Sequence, residues 1–155
     1  MSKVILLDTH PLTQVAHPRV NPKIQKWLLL NQENNIVLLV PEIADYEARR
    51  ELIRTDKKKS INRLDEIAKT DNFLPLNSET IRKASELWAW IRNQGKTTAH
   101  EHSLDGDVIL VAQAISQLKF FDEVTIITTN LKHIAFFETQ GISVIDWQDT
   151  LSKLT

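Results

Sequence analysis

Four short apolar runs restrict this chain more than any other feature: Val4 to Leu7 and Ile36 to Val40, each unbroken, and Val124 to Ile127 and Ile142 to Ile145, each with a single hydroxyl residue, Thr125 or Ser143. A strand with one wet face alternates apolar and polar residues, whereas a strand covered on both faces does not. Between the runs lie helical patterns: Ile24, Trp27 and Leu28 after Pro22, and Glu42 to Arg54 after Pro41. Ser60 to Lys69 carries Ile61, Leu64, Ile67 and Ala68, and Ser78 to Asn93 carries Ile81, Ala84, Leu87, Trp88 and Ile91 before Gly95 stops it. Strands alternating with helices predict a parallel sheet covered on both faces. Phe73 to Leu76, interrupted by Pro75, predicts a weak edge strand. Thr9, His10 and Pro11 are expected to stop the first strand and open an irregular stretch reaching Pro22. A short helix through Phe137 is expected to lead to Gly141 and the last strand.

The length of 155 residues suits one domain, residues 1–155, able to bury about 70% of its unfolded surface. The absence of cysteine excludes disulfides, thiolate zinc and a cysteine nucleophile. The first apolar run is too brief for a signal peptide or membrane span, so a cytoplasmic protein with no membrane association is expected. A net charge of −1 argues against a globally basic nucleic-acid binder, leaving attraction to phosphate to a local patch or bound cations. With 3 glycines and neither GxGxxG, GxxxxGK[ST] nor GxSxG, the sequence carries no signature of dinucleotide, P-loop or nucleophile-elbow chemistry.

What remains is carboxylates. The stretch LDGDVILVAQA, Leu104 to Ala114, puts Asp105 and Asp107 at the head of an apolar helix, Asp105 suiting the N-cap and Asp107 the first turn, with Gly106 allowing close backbone approach. Capping alone accounts for both. Asp8, however, ends the first strand, and ligands of parallel sheets bind beyond the carboxyl ends of strands, where strand order reverses. Asn130 holds the equivalent place after Val124 to Ile127. Carboxylates and amides are hard oxygen ligands suited to magnesium or manganese.

Four blocks in order, ILLDTHPL around Asp8, VPEIADYEARREL around Glu47, LDGDVILVAQA around Asp107 and TTNLKHI around Asn130, resemble the motifs of PIN-domain proteins, including VapC-like toxins. The resemblance spans about Val4 to Ile145 and implies a three-layer α/β/α sandwich with a central parallel sheet. It implies a metal-dependent endoribonuclease, the toxin of a toxin–antitoxin pair or an RNA-processing enzyme, with Mg2+ or Mn2+ as cofactor, an RNA substrate, an antitoxin partner and a homodimer. Carried over position by position, Asp8 is the first metal ligand, Glu47 the helix-borne acid, Asp107 the acid of the buried helix, and Asp105 an extra ligand or water-holder. The chain departs from the pattern at the fourth acidic position, where Asn130 and His133 stand.

On that reading a cation at Asp8, Asp107 and Asp105 would serve in-line attack of water on phosphorus, with Glu47 available to accept a proton. Thr9, Thr129 and Asn130 would contact substrate, although turn residues of these types commonly do no more than shape the backbone. The alternative is a catalytically degenerate module that binds RNA or a protein partner without cleavage, favoured by Asn130 and His133. A receiver-type signalling domain wants paired acids after its first strand, and Asp8 stands alone. The basic tract from Arg49 through Lys57, Lys58, Lys59 and Arg63 either steers RNA or is a solvated helix end. His100 and His102 lack zinc-ligand spacing. Trp88 is expected in the core, Trp90 on a dimer surface or beneath the polar loop Lys96 to Ser103, and Trp27 and Trp147 in the core or at its rim.

Overall fold

The computed structural model describes residues 2–95 and 101–154, with the backbone alone for 101–103. Five strands, β1 (Lys3–Leu7), β2 (Val37–Pro41), β3 (Phe73–Leu74), β4 (Glu123–Thr128) and β5 (Ser143–Asp146), form one sheet in the order β3-β2-β1-β4-β5. Every pairing is parallel. The helices are α1 (Thr9–Val15), α2 (Pro22–Glu33), α3 (Glu42–Arg54), α4 (Lys58–Ala68), α5 (Ser78–Asn93), α6 (Glu101–Ile115), α7 (Leu131–Ile134) and α8 (Trp147–Ser152), with a 3-10 turn at Ala135–Gln140.

Two cores explain the apolar strands. Val4 and Leu6 of β1 enter one cluster with Leu87 and Ile91 of α5 and Leu110 and Val111 of α6. Ile5 and Leu7 enter the other with Leu12, Trp27, Ala48, Leu64 and Trp147, from α1, α2, α3, α4 and α8. Successive side chains of a strand point to opposite faces, so a strand between two helical layers is apolar at every position. This is the expected α/β/α sandwich, with the two-residue β3 at its edge. No helix among the described residues is long and apolar enough to cross a membrane.

Three local expectations are corrected, and a fourth falls largely outside the described residues. Residues after Asp8 form α1 rather than a loop, because Pro11 falls in the first turn, where a backbone N–H has no intrahelical acceptor to lose. The helix carrying Asp105 starts at Glu101, so Asp105 is not its N-cap and Asp107 is not in its first turn. Of the loop placed at 96–103, residues 96–100 and the histidine His100 lie outside the described residues, as does the side chain of His102. The tryptophans of α5 exchange places: Trp88 is 41% exposed, while Trp90 packs on the core, its ring 5.9 Å from that of Phe137.

One buried amide sets the position of α3. Pro41 precedes the helix and gives no side-chain cap. Gln113 of α6, 1% exposed, supplies the missing acceptor: its Oε1 accepts from the Ile43 N–H at 3.2 Å, while its Nε2 donates to the Leu74 carbonyl at 2.9 Å. One side chain thus ties α6, the start of α3 and edge strand β3. Replacing Gln113 with leucine of similar size strands two buried backbone groups, and we expect a loss of about 1–3 kcal/mol in urea denaturation. A neutral result would mean that α3 caps itself by another route.

Candidate metal centre

Strand order reverses between β1 and β4: the chain runs outward from β1 to β2 and β3, then returns to build β4 on the other side. Such a switch point leaves a crevice at the carboxyl ends of the two strands. Leu7 stands opposite Ile127, and the Asp8 N–H extends the ladder by donating to the Ile127 carbonyl at 3.0 Å. Asp8 therefore leaves β1 beside Thr128, the last residue of β4.

Both Asp8 oxygens are held. Oδ1 accepts from the Thr9 N–H at 2.7 Å, making Asp8 the N-cap of α1, and Oδ2 accepts from the Thr128 hydroxyl at 2.7 Å. Thr128 is fully buried, and its oxygen accepts from the Asn130 N–H at 2.8 Å. Glu47 comes from α3, its Oε1 accepting from the Thr9 hydroxyl at 2.8 Å. Thr9 thus links two acids, one by backbone and one by side chain. Arg50 approaches Glu47 at 3.9 Å.

Gly106 gives Glu47 its room. A Cβ at Gly106 would stand 2.5 Å from Oε2 of Glu47, so only glycine lets α6 pass this close to that carboxylate. Asp107 follows, 9% exposed, and its Oδ2 is buried with no hydrogen-bond partner. A buried, unpaired carboxylate oxygen is costly, and in native proteins it calls for an explanation such as an ion.

Electrostatics join the three. Burial, followed by the nearby charges of Asp8 and Glu47, pushes the Asp107 carboxyl up to about 7. Burial also raises Asp8, against the pull of its bonds to Thr128 and Thr9. It raises Glu47 against its bond from Thr9, with the Asp8 charge adding to the rise. Like charges that resist ionising together are what a divalent cation relieves.

No group of three or more His, Asp or Glu side chains that could by itself hold a metal ion is present among the described residues. Magnesium commonly takes one or two carboxylates and keeps waters and substrate phosphate in its other positions. Asp8 and Asp107, hard oxygen donors with one orphaned oxygen between them, fit such an ion.

A cleft of about 490 Å³ opens over this edge, with Asp8, Thr9, His10, Glu47, Arg50 and Thr129 in its wall. Gln14 orients His10. The Trp147 indole N–H, which can only donate, gives its proton to Gln14 Oε1 at 2.8 Å, so the amide NH2 faces His10 Nε2 at 3.0 Å. That nitrogen must accept, which leaves the proton on Nδ1.

Of the residues singled out in the sequence, Asp8, Glu47 and Asp107 are brought together, with Thr9 between two of them and Thr129 in the cleft wall. Asn130 reaches the cluster by its backbone through Thr128. Asp105 does not join. Two residues from Asp107 on a helix is about 200° around the axis, and Asp105 lines a separate groove with Ile81, Trp88 and Val108. Thr128 was missed. Its value depends on the pairing of β4 with β1, which no local pattern announces.

The chain has a PIN-like, VapC-like fold. It is similar to a chain of VapBC2 from Rickettsia felis, a complex solved bound to a DNA fragment from their promoter, at a TM-score of 0.70 and 15% identity over 93% of this chain and 98% of that one. It is similar to a chain of FitAcB from Neisseria gonorrhoeae at a TM-score of 0.61 and 19% identity, covering 97% and 99%. VapBC-1 from nontypeable Haemophilus influenzae follows at 0.53 and 16%, covering 94% and 98%. No family model and no curated protein matches the sequence.

A carboxyl protonated in the fold but ionised in the unfolded chain weakens the fold once pH exceeds its unfolded value. For Asp107 stability is therefore lost as pH rises from about 4 to about 7, by up to about 4 kcal/mol. Asp107→Asn should be more stable than the parent at pH 8 in chelator, with the advantage shrinking toward pH 4. Equal denaturation midpoints across that range would show that Asp107 is not buried among like charges.

Proposed function

We propose that the chain is a divalent-cation-dependent endoribonuclease, the toxin of a toxin–antitoxin pair or an RNA-processing enzyme. The observation that carries the reading is the partnerless Oδ2 of Asp107 beside Asp8 and Glu47 at the switch-point edge. The four motif blocks and the fold likeness support it. The same reading includes an RNA substrate, an antitoxin and a second copy of the chain as partners.

Asp8 and Asp107 would hold magnesium or manganese, which when bound supplies Lewis acidity and offsets charge on a phosphodiester during in-line attack. Thr128 and Thr9 hold the Asp8 carboxylate in one orientation, so its remaining lone pairs point to a fixed place. Glu47, held by Thr9 and already raised above the usual carboxylate range, is suited to take a proton from an attacking water. His10, its Nε2 engaged by the Gln14 amide, offers the cleft a donor at Nδ1. Thr129 offers a hydroxyl in the cleft wall.

Purified protein is expected to cut single-stranded RNA with magnesium or manganese, to stop in excess chelator, and to fall to background as Asp8→Asn. Binding without cleavage in either metal overturns the reading. Thr128→Val, which removes the donor to Asp8 but keeps the shape, is expected to lose about 10–100-fold in metal affinity or activity. Gly106→Ala tests the other side of the site. Its new methyl meets the movable end of a side chain, so the protein should fold with near-parent stability but lose kcat as Glu47 is displaced. A collapse in stability, or unchanged kcat, would sink that account of Gly106.

A further inference from the structure

We propose that a groove running from the carboxylate cleft to Lys57, Lys58 and Lys59 is the track for the phosphate backbone of the RNA strand, gripping it at a distance from the bond that is cut. The proposal rests on the nuclease reading of the cleft and adds where the binding energy comes from.

The first observation is continuity. The cleft over Asp8 and Glu47 and a neighbouring hollow of about 590 Å³ share Thr13 and Leu52 as common wall. The second hollow is lined further by His17, Lys57, Lys58 and Lys59. Thr55, the C-cap of α3, lies eight residues beyond Glu47 and also lines this hollow. Eight residues of helix span about 12 Å, so one strand must extend well past the scissile bond to touch both ends.

The second observation is charge. The arginines of the basic tract are largely occupied within the fold: Arg49 bridges Asp45 and Asp65, and Arg54 pairs with Glu51. Lys57, Lys58 and Lys59 are exposed and make no ion pair among the described residues. A net charge of −1 gives no general attraction for phosphate, and the carboxylates Asp8 and Glu47 of the cleft oppose it locally. Three lysines against the single carboxylate of Asp56 in the same wall leave a net positive hollow beside the cleft, which is what brings a polyanion in.

The backbone places those lysines deliberately. Asp56 takes a left-handed conformation, φ 54°, its N–H donating to the Ile53 carbonyl while the Lys57 N–H donates to the Leu52 carbonyl at 2.9 Å. This double closure ends α3 and folds the chain sharply back. Lys57 is thereby pinned beside Leu52, the residue shared by the two hollows.

The test measures binding by Asp8→Asn protein, so that nothing is cut. Fluorescence anisotropy of a short labelled oligouridine, from about 50 to 200 mM salt, gives affinity and salt slope. Adding Lys57→Gln, Lys58→Gln and Lys59→Gln together is expected to weaken binding about tenfold and to make the log–log salt slope shallower by about 2. Arginines at the three positions should restore both. Each single Lys→Gln change at 57, 58 or 59 is expected to weaken binding in part, whereas Lys69→Gln, one charge removed at the far end of α4, should alter neither affinity nor slope. Parent-like affinity and slope in the triple glutamine variant, with its circular dichroism intact, overturns the proposal. So does a groove that binds polyglutamate and not oligouridine, which would make it a site for an acidic protein. Lysine-dependent binding by a chain whose parent form cuts no RNA keeps the groove and removes the nuclease reading.

Discussion

Repulsion among three carboxylates is the constraint around which the switch-point edge is organised. Asp8, Glu47 and Asp107 arrive on β1, α3 and α6, and burial discourages each from ionising. The fold holds them there with local bonds to two threonines and leaves one oxygen unsatisfied. An apolar core would be more stable with hydrophobic residues at these positions. Their retention in one crevice is what a binding site looks like when its stabilising charge is external.

The rest of the architecture serves that crowding. The ladder between β1 and β4 brings Asp8 beside Thr128, and the Gln113 amide fixes where α3 begins and hence where Glu47 projects. Gly106 leaves beside α6 the space that the Glu47 carboxylate occupies. Arg49, clamped between Asp45 of α3 and Asp65 of α4, braces the far side of the helix that carries Glu47. Asp8 and Glu47 are therefore each secured from a neighbouring element, by Thr128 of β4 and Thr9 of α1, while Asp107 is placed by its own helix.

Much of this is legible in the residues. Unbroken apolar runs such as those of β1 and β2 require burial on both faces, α3 begins where Pro41 indicates, and α5 begins and ends where Ser78 and Gly95 indicate. What escapes is what depends on remote neighbours. The buried line of α5 runs through Thr80, Ala84, Leu87 and Ile91, with Trp88 and Trp90 each about 80° to either side at 100° per residue. Helix geometry cannot choose between them; Phe137, on the flank of Trp90, does. Polar Thr80 at a buried position further conceals the true centre. Asp105 misleads for a related reason, since an N-cap placed there aims both acids of LDGD at one opening, whereas a helix begun at Glu101 separates them.

Trp147, seated edge-on against Trp27 with ring centroids 5.1 Å apart, donates its indole proton to the amide that fixes His10. The last helix of the chain is thus wired to the mouth of the cleft through two side chains. Peeling α8 from the sheet would deprive Gln14 of the donor that dictates which way its amide faces, and a flipped amide reverses the proton preference of the imidazole. The carboxy-terminal segment, remote in sequence from every acid, therefore decides which hydrogen-bonding partner His10 presents to whatever enters.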